Sequence, residues 1–369
     1  MKADMKIIII GAGVAGLSIG WRLLQAGAQV TILERAQAGS GATWAAAGMI
    51  ALAAELEKSP PVEIVFARQS NGLWPDFVKE VEAASGSAIG YARSGTLLLR
   101  GDATTMASRA TADPSLTFLS AEEVRARWPM LTGECAGGLW ASDEAHVDNR
   151  ALGRALTIAF LKAGGVLKPT EAVTNLEQQG ARVTGVQTPY GRYHADAVLL
   201  AAGAWSGQLV DVPITPVKGE MIALTPPPDE AFDFAGPVVW GEGAYLVPRP
   251  DSEGGRLLVG ATMEEQGFDT SLSPAVPGQL RARAAAMMPA LARWTLAEHW
   301  AGLRPRSPDG LPLLGPSATP GLFIASGQYR NGILFAPAIA ALMSDMLLGR
   351  AEPIPAFDPR RFDRPEHAA

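Results

Sequence analysis

The 369-residue sequence holds one cysteine, Cys135, so no disulfide can close within the chain. A lone thiol is more often a packed side chain than a nucleophile, and it is compatible with a reducing compartment. Histidine is scarce too. His146, His194, His299 and His367 are dispersed, with no spacing that gathers metal ligands. Positive charge is not in excess: 31 Lys and Arg stand against 37 Asp and Glu, a net charge of −6. That balance, scattered along the chain, excludes a basic groove for nucleic acid. No apolar run reaches the ~20 residues that span a bilayer. The apolar stretch at 7–20 is broken by glycines and has no processing site, so it is not read as a targeting segment. A cytoplasmic enzyme with no membrane partner is expected.

What the chain does have is glycine, 40 residues of it, placed with purpose. "IIIIGAGVAGLS" begins at Ile7. Lys6–Ile10 reads as a parallel strand buried on both faces. A helix follows over 14–26 and stops at Gly27; Gln29–Leu33 is β-branched, and Glu34 closes it. This is a βαβ unit. Gly11, Gly13 and Gly16 match G-x-G-x-x-G in the right setting. The first permits the tight turn, the second lets backbone approach a pyrophosphate, and the third lets helix pack on strand. Glu34 stands where a carboxylate accepts from ribose hydroxyls, which disfavours a 2′-phosphate.

Further along, 36–51 reads as a small-residue loop and Pro60-Pro61 opens a helix through 84. Residues 91–101 read as an edge or hairpin strand, and 137–147 as another. Asp148 caps a helix over 149–163. A meander with turns at Gly180 and Gly191 ends in a buried strand at 197–201. Residues 214–262 are β-rich, 279–294 helical, and 321–327 a third buried strand, followed by a helix with Pro337 in its first turn. Buried parallel-type strands thus sit at the start, middle and end. The expected class is α/β: a discontinuous Rossmann-like nucleotide-binding domain (1–88, 140–213 and 302–369). An antiparallel-sheet substrate domain (89–139 and 214–301) is inserted into it.

NAD stays open on the glycine turn alone. FAD is favoured because there is one such turn and because distant glycine-bearing segments return to it. Taken in order, "GSGATWAAAGMI", "VLLAAGAWSG", "PVKGE", "YLVPR", "LVGATMEE", "WAGLRPRSPDGLPLLG" and "GQYRNGILFAPA" resemble the glycine oxidase branch of the D-amino-acid oxidase superfamily. These are the FAD amine oxidases of thiamine biosynthesis.

The resemblance implies non-covalent FAD, since no cysteine lies near Arg304. It implies an amino-acid substrate, O2 as acceptor, and a homo-oligomer, a tetramer in the family. Arg304 would clamp the substrate carboxylate, for which a planar guanidinium is suited, and Tyr245 would donate a second hydrogen bond. Met49 would wall the pocket and Arg330 line it. The cofactor would be held by Gly11, Gly13, Val14, Ala15, Gly16, Glu34 and Arg35, and along its flavin by Thr43, Ala46, Ala47, Gly48 and Met49. Val173, Ala202, Gly203 and Trp205 would add to the site. Arg304 and the helix entry Arg330, Asn331, Gly332, Ile333 and Leu334 would close it, the entry offering N–H groups to negative charge. Gly243 and Ala244 predict a pocket wider than glycine needs.

The implied reaction takes glycine, sarcosine or a small D-amino acid to its imine and yields H2O2. No protein base is assigned. Two rival readings are a D-amino-acid dehydrogenase feeding a quinone and a flavin-binding redox sensor without turnover. A sensor has no need of a carboxylate clamp.

Overall fold

Ile7, Ile8, Ile9 and Ile10 are all buried because their strand lies between two layers. In the computed structural model, which describes residues 5–250 and 255–363, Lys6–Ile10 sits inside a six-stranded sheet. The strand order is Leu313–Pro316, Leu322–Ser326, Ala197–Leu200, Lys6–Ile10, Gln29–Leu33 and Val166–Lys168. All pairings are parallel except the edge strand Leu313–Pro316. Ile7 and Ile9 face the helices Val14–Gln25, Asn149–Lys162 and Ala336–Leu347, among Leu17, Leu156, Phe160 and Ile339. Ile8 and Ile10 face Val183 and Val186 of a three-stranded meander. Each such side chain contributes about 1.5–3 kcal/mol on burial, which holds the strand in the middle of the sheet.

A second, eight-stranded sheet runs Thr295–Arg306, Thr215–Thr225, Arg256–Gly260, Ala244–Arg249, Val238–Gly241, Thr96–Leu98, Gly138–Ala141 and Thr117–Leu119. It is antiparallel apart from the pairing of Val238–Gly241 with Thr96–Leu98. Alternation assigns its faces. Ile222, Leu246 and Val259 pack under the helix Val276–Met287, while Met221, Tyr245 and Leu258 point the other way.

Several elements depart from expectation. Residues 91–101 do not make an edge strand: Thr96–Leu98 lies inside the sheet, between Val238–Gly241 and Gly138–Ala141, and is fully buried because both faces are covered, with Leu97 in one core and Leu98 in the other. The loop at 36–51 contains a helical turn, Ala42–Ala45, and a second turn, Leu52–Glu55, follows it. The helix at 279–294 starts earlier, at Val276, and breaks before Pro289, whose ring cannot continue it. Two helices, Ala103–Ala112 and Ala121–Arg127, were not anticipated. Asp102 caps the first, and Ser120 with Glu123 forms a capping box on the second.

Candidate active site

Lys6–Ile10 lies between Gln29–Leu33 and Ala197–Leu200, so chain direction leaves it both ways across the sheet. A crevice opens at the carboxyl ends of such strands. Here it deepens into a cavity of about 940 Å3 between the two sheets.

One end is built by the first sheet. Gly11 has φ +106°, and a Cβ there would come within 2.5 Å of the Ala201 carbonyl oxygen. Gly13 caps the helix Val14–Gln25 without a side-chain bond, and the Val14 N–H donates to Thr43 Oγ1 at 2.8 Å. The next N–H groups, of Ala15 and Gly16, belong to the first turn and have no intrahelical acceptor. Gly16 is the one residue of the expected set that does not line the cavity; its Cβ would meet the Gly11 carbonyl oxygen at 2.0 Å, so it seats the helix. Glu34 accepts the Ala12 N–H at 2.8 Å and the Ala36 N–H at 2.9 Å. Arg35 lies 3.5 Å over the Trp205 ring, and burial pushes its pKa down. Val173, Ala202 and Gly203 complete this end.

Two loops form the middle, and both have their carbonyls tied outward. In the first, Asn149 Nδ2 donates to Thr43 O at 2.8 Å and Trp44 O at 3.0 Å, Trp300 Nε1 donates to Ala45 O at 3.0 Å, and Arg249 donates to Ala47 O. Ala46, Ala47, Gly48 and Met49 line the cavity from there. Arg249 is fully buried, and desolvation brings its pKa down to about 10. In the second, Leu334 O accepts from Ser70 Oγ at 2.7 Å and Trp74 Nε1 at 3.0 Å. The N–H groups of Gly332, Ile333 and Leu334 find no acceptor among the described residues. Asn331 Nδ2 donates to Glu63 Oε1 at 3.0 Å, while Asn331 Oδ1 and Gln328 Nε2 have no partner among the described residues.

The far end belongs to the second sheet. Arg304 stands on Thr295–Arg306, opposite Val217, and its Nη1 donates to Lys218 O at 3.3 Å and Thr262 O at 3.2 Å. Tyr245 is buried beside Trp240, ring centroids 4.9 Å apart, and its hydroxyl reaches Met221 Sδ at 3.6 Å. Burial raises the Tyr245 pKa, and the charge on Arg304 only partly offsets this, so the phenol keeps its proton. Gly243 and Ala244 line the cavity, as do Trp240, Arg100, Arg330 and Glu55. Both guanidinia flank Trp240, Arg100 at 5.5 Å and Arg330 at 5.8 Å from the ring centroid. Arg330 Nη2 is 2.6 Å from Glu55 Oε2.

Sequence reasoning missed Glu55, Arg100, Trp240, Asn149, Arg249 and Trp300. Asn149 carried a signal as the residue after a helix cap, and Arg249 and Trp300 stood inside the motifs "YLVPR" and "WAGLRPRSPDGLPLLG" without being singled out. His146, His194 and His299 do not line the cavity; His367 lies outside the described residues. No group of three or more His, Cys, Asp or Glu among the described residues could hold a metal ion, and no described helix is long and apolar enough to cross a membrane.

A turn with bare N–H groups, a carboxylate at the next strand end and two loops with free N–H groups suit a long dinucleotide. The family described as FAD dependent oxidoreductase (DAO) matches residues 6–346. The chain belongs to this family. Its cofactor is FAD. The glycine oxidase of Pseudomonas aeruginosa is 36% identical over 367 residues, covering 97% of this chain and 98% of that protein. The bifunctional protein ThiO/ThiG of Synechocystis sp. is also 36% identical, over 98% of this chain; the chain spans 55% of that protein's length. The crystal structure of glycine oxidase from Geobacillus kaustophilus superposes with a TM-score of 0.88 at 30% identity, over 97% of this chain and 99% of that one. These similarities cover nearly the whole chain and so span both sheets.

Proposed function

We propose that the chain oxidises glycine to its imine, with sarcosine and small D-amino acids as further substrates and O2 as electron acceptor, giving H2O2. The imine then hydrolyses to glyoxylate and ammonia or is consumed in thiazole assembly. The observation that carries the reading is a cavity wall with Arg304 beside Tyr245, at the end away from the glycine turn. FAD, when bound without a covalent link, supplies the acceptor for the hydride that leaves Cα.

The protein's work is binding and placement. Arg304 takes the substrate carboxylate through its paired N–H groups, and the Tyr245 hydroxyl donates to the same group. With the carboxylate fixed, one face of Cα is presented, so one hand of a chiral amino acid reacts. Trp240 and Met221 exclude water from this end and strengthen the charge contacts within it. The free N–H groups of Gly332, Ile333 and Leu334 suit negative charge that develops in the cavity.

Anaerobic mixing with glycine, sarcosine, D-alanine and L-alanine, followed by flavin absorbance, tests this. Bleaching by the first three and not by L-alanine is expected, with colour and H2O2 returning in air. Bleaching that air reverses only slowly and a quinone reverses fast would make the enzyme a dehydrogenase. No bleaching by any amine would leave a flavin sensor.

A further inference from the structure

An amino acid arrives as a zwitterion, yet its nitrogen must offer a lone pair to become an imine. One ammonium proton has to leave first. Among the described residues that line the cavity, only Glu34 and Glu55 carry carboxylates, and no histidine, lysine or cysteine does. Glu34 is committed at the nucleotide end, where both its oxygens hold backbone N–H groups. Glu55 stands at the substrate end. Its side chain is 7% exposed and ion-paired with Arg330 at 2.6 Å. Arg330 is the one ion-pair partner of this carboxylate among the described residues, which leaves it lone pairs that no protein donor takes. A buried carboxylate with acceptor capacity beyond its one guanidinium partner, beside Arg304, is the complement of an ammonium group.

We propose that Glu55 binds the ammonium group of the substrate and takes one of its protons. This rests on the amino-acid oxidase reading. The step breaks one N–H bond and forms one O–H bond; no electrons change owner. The amine is left neutral and the Glu55 carboxyl uncharged, facing Arg330.

The backbone around Glu55 is built for fixed placement. The turn Leu52–Glu55 begins on Glu144, whose Oε1 accepts the Leu52 N–H at 2.7 Å and the Ala53 N–H at 2.5 Å. Its carbonyls are held as well: Arg109 donates to Ala53 O at 2.8 Å and Arg100 to Ala54 O at 3.0 Å. Arg330, Arg304 and Arg100 face the Glu55 carboxylate and favour its charge, while Tyr245 and Glu144 are the other titratable groups near it. Burial outweighs the three cations and pushes the carboxyl above its ordinary range. A substrate carboxylate seated on Arg304 adds negative charge close by and makes Glu55 more basic still.

The experiment uses the FAD-loaded enzyme and two ligand types, glycine and acetate, which has the carboxylate but no amine. Flavin reduction reads the first and the flavin spectral shift reads the second. Glu55→Gln should weaken glycine at least tenfold and acetate less than twofold. Its reduction rate should recover only as pH approaches the pKa of free glycine's ammonium. Glu55→Asp should keep part of the wild-type rate at neutral pH. Arg330→Met should not reproduce the preference for acetate, because it leaves the carboxylate in place. In the wild type, reduction at saturating glycine should stay level with pH well below that pKa; a unit slope there overturns the proposal even where a variant fails to fold. Equal losses for glycine and acetate in Glu55→Gln, with the wild-type pH profile retained, also overturn it. A wild type that no amino acid bleaches defeats the underlying oxidase reading instead.

Discussion

At the scale of single residues, the proposed clamp at Arg304 depends on an absence behind it. Arg304 lies across Gly219, where a Cβ would come within 2.2 Å of Nη1. Gly219 pairs with Gly302 across the two strands, so the "PVKGE" and "WAGLRP" segments meet here. Arg304→Ala should leave FAD bound and raise KM by about 1.5–3.5 decades, as expected when one partner of a desolvated charge pair is lost at about 2–5 kcal/mol. Arg304→Lys should also be impaired, because a point charge lacks the planar fork. Gly219→Ala should imitate both by displacing the guanidinium, with the flavin spectrum retained. Steady-state kinetics on glycine checks all three; wild-type KM in Gly219→Ala would show that the guanidinium does not rest where the structure has it. Arg304 and Tyr245 are legible in the sequence because each sits in a long ordered motif. Gly219 is visible there as a letter but not as a seat, since its reason lies 85 residues away.

At the scale of elements, the turn Leu52–Glu55 shows how a buried acid sets a pH dependence. Glu144 holds its first N–H groups, and burial pushes the Glu144 pKa up to about 7 from 4.5. Between these values the folded chain binds a proton that the unfolded chain has released. Stability therefore falls as pH rises through this window and levels off above it, by about 3 kcal/mol for this group at 1.36 kcal/mol per pKa unit. His146 acts in the opposite sense. Burial lowers its pKa to about 3, so its contribution is present above its ordinary pKa of 6.5 and is lost as pH falls below that. The wild-type-minus-Glu144→Gln difference in urea unfolding, taken from pH 4.5 to 8, cancels His146. It should slope downward with pH; a flat difference would mean that Glu144 titrates normally. The long helix Pro61–Ser85 offers a simpler test. Gly72 is exposed within it and a Cβ there meets nothing, so Gly72→Ala should stabilise by about 0.5–1 kcal/mol, read as a higher Tm. Elements of one clear period were legible: the isoleucine strand, the helix after Gly13 and the helix capped by Asp148. Leu52–Glu55 and Ala42–Ala45 were not, because four residues carry no period and take their form from tertiary contacts; Thr96–Leu98 was legible as a strand, but its place inside the sheet was not.

At the scale of the molecule, the cavity draws its walls from both sheets. The glycine turn, Glu34 and Trp205 come from the first, and Met221, Tyr245 and Arg304 from the second. A ligand that fills it is in contact with both halves at once, and an unfolded chain offers it nothing comparable. FAD should therefore stabilise the whole fold by mass action, about 2.7 kcal/mol at a hundred times its Kd. The bond count is equally constrained. Cys135 packs against the distal core beneath the second sheet and does not line the cavity, so no thiol is placed to tether the flavin. Acid precipitation should leave a colourless pellet and intact FAD in the supernatant. The apo-protein should then unfold at lower urea than the holoenzyme, with the shift growing as the logarithm of added FAD. Trp205 and Trp240 report from opposite ends of the cavity, and the comparison of Trp205→Phe with Trp240→Phe separates their fluorescence. If FAD raises the midpoint at both ends together, it joins the halves; a shift confined to the Trp205 signal would mean that it binds the first sheet alone. In that case the substrate end is not held by the cofactor.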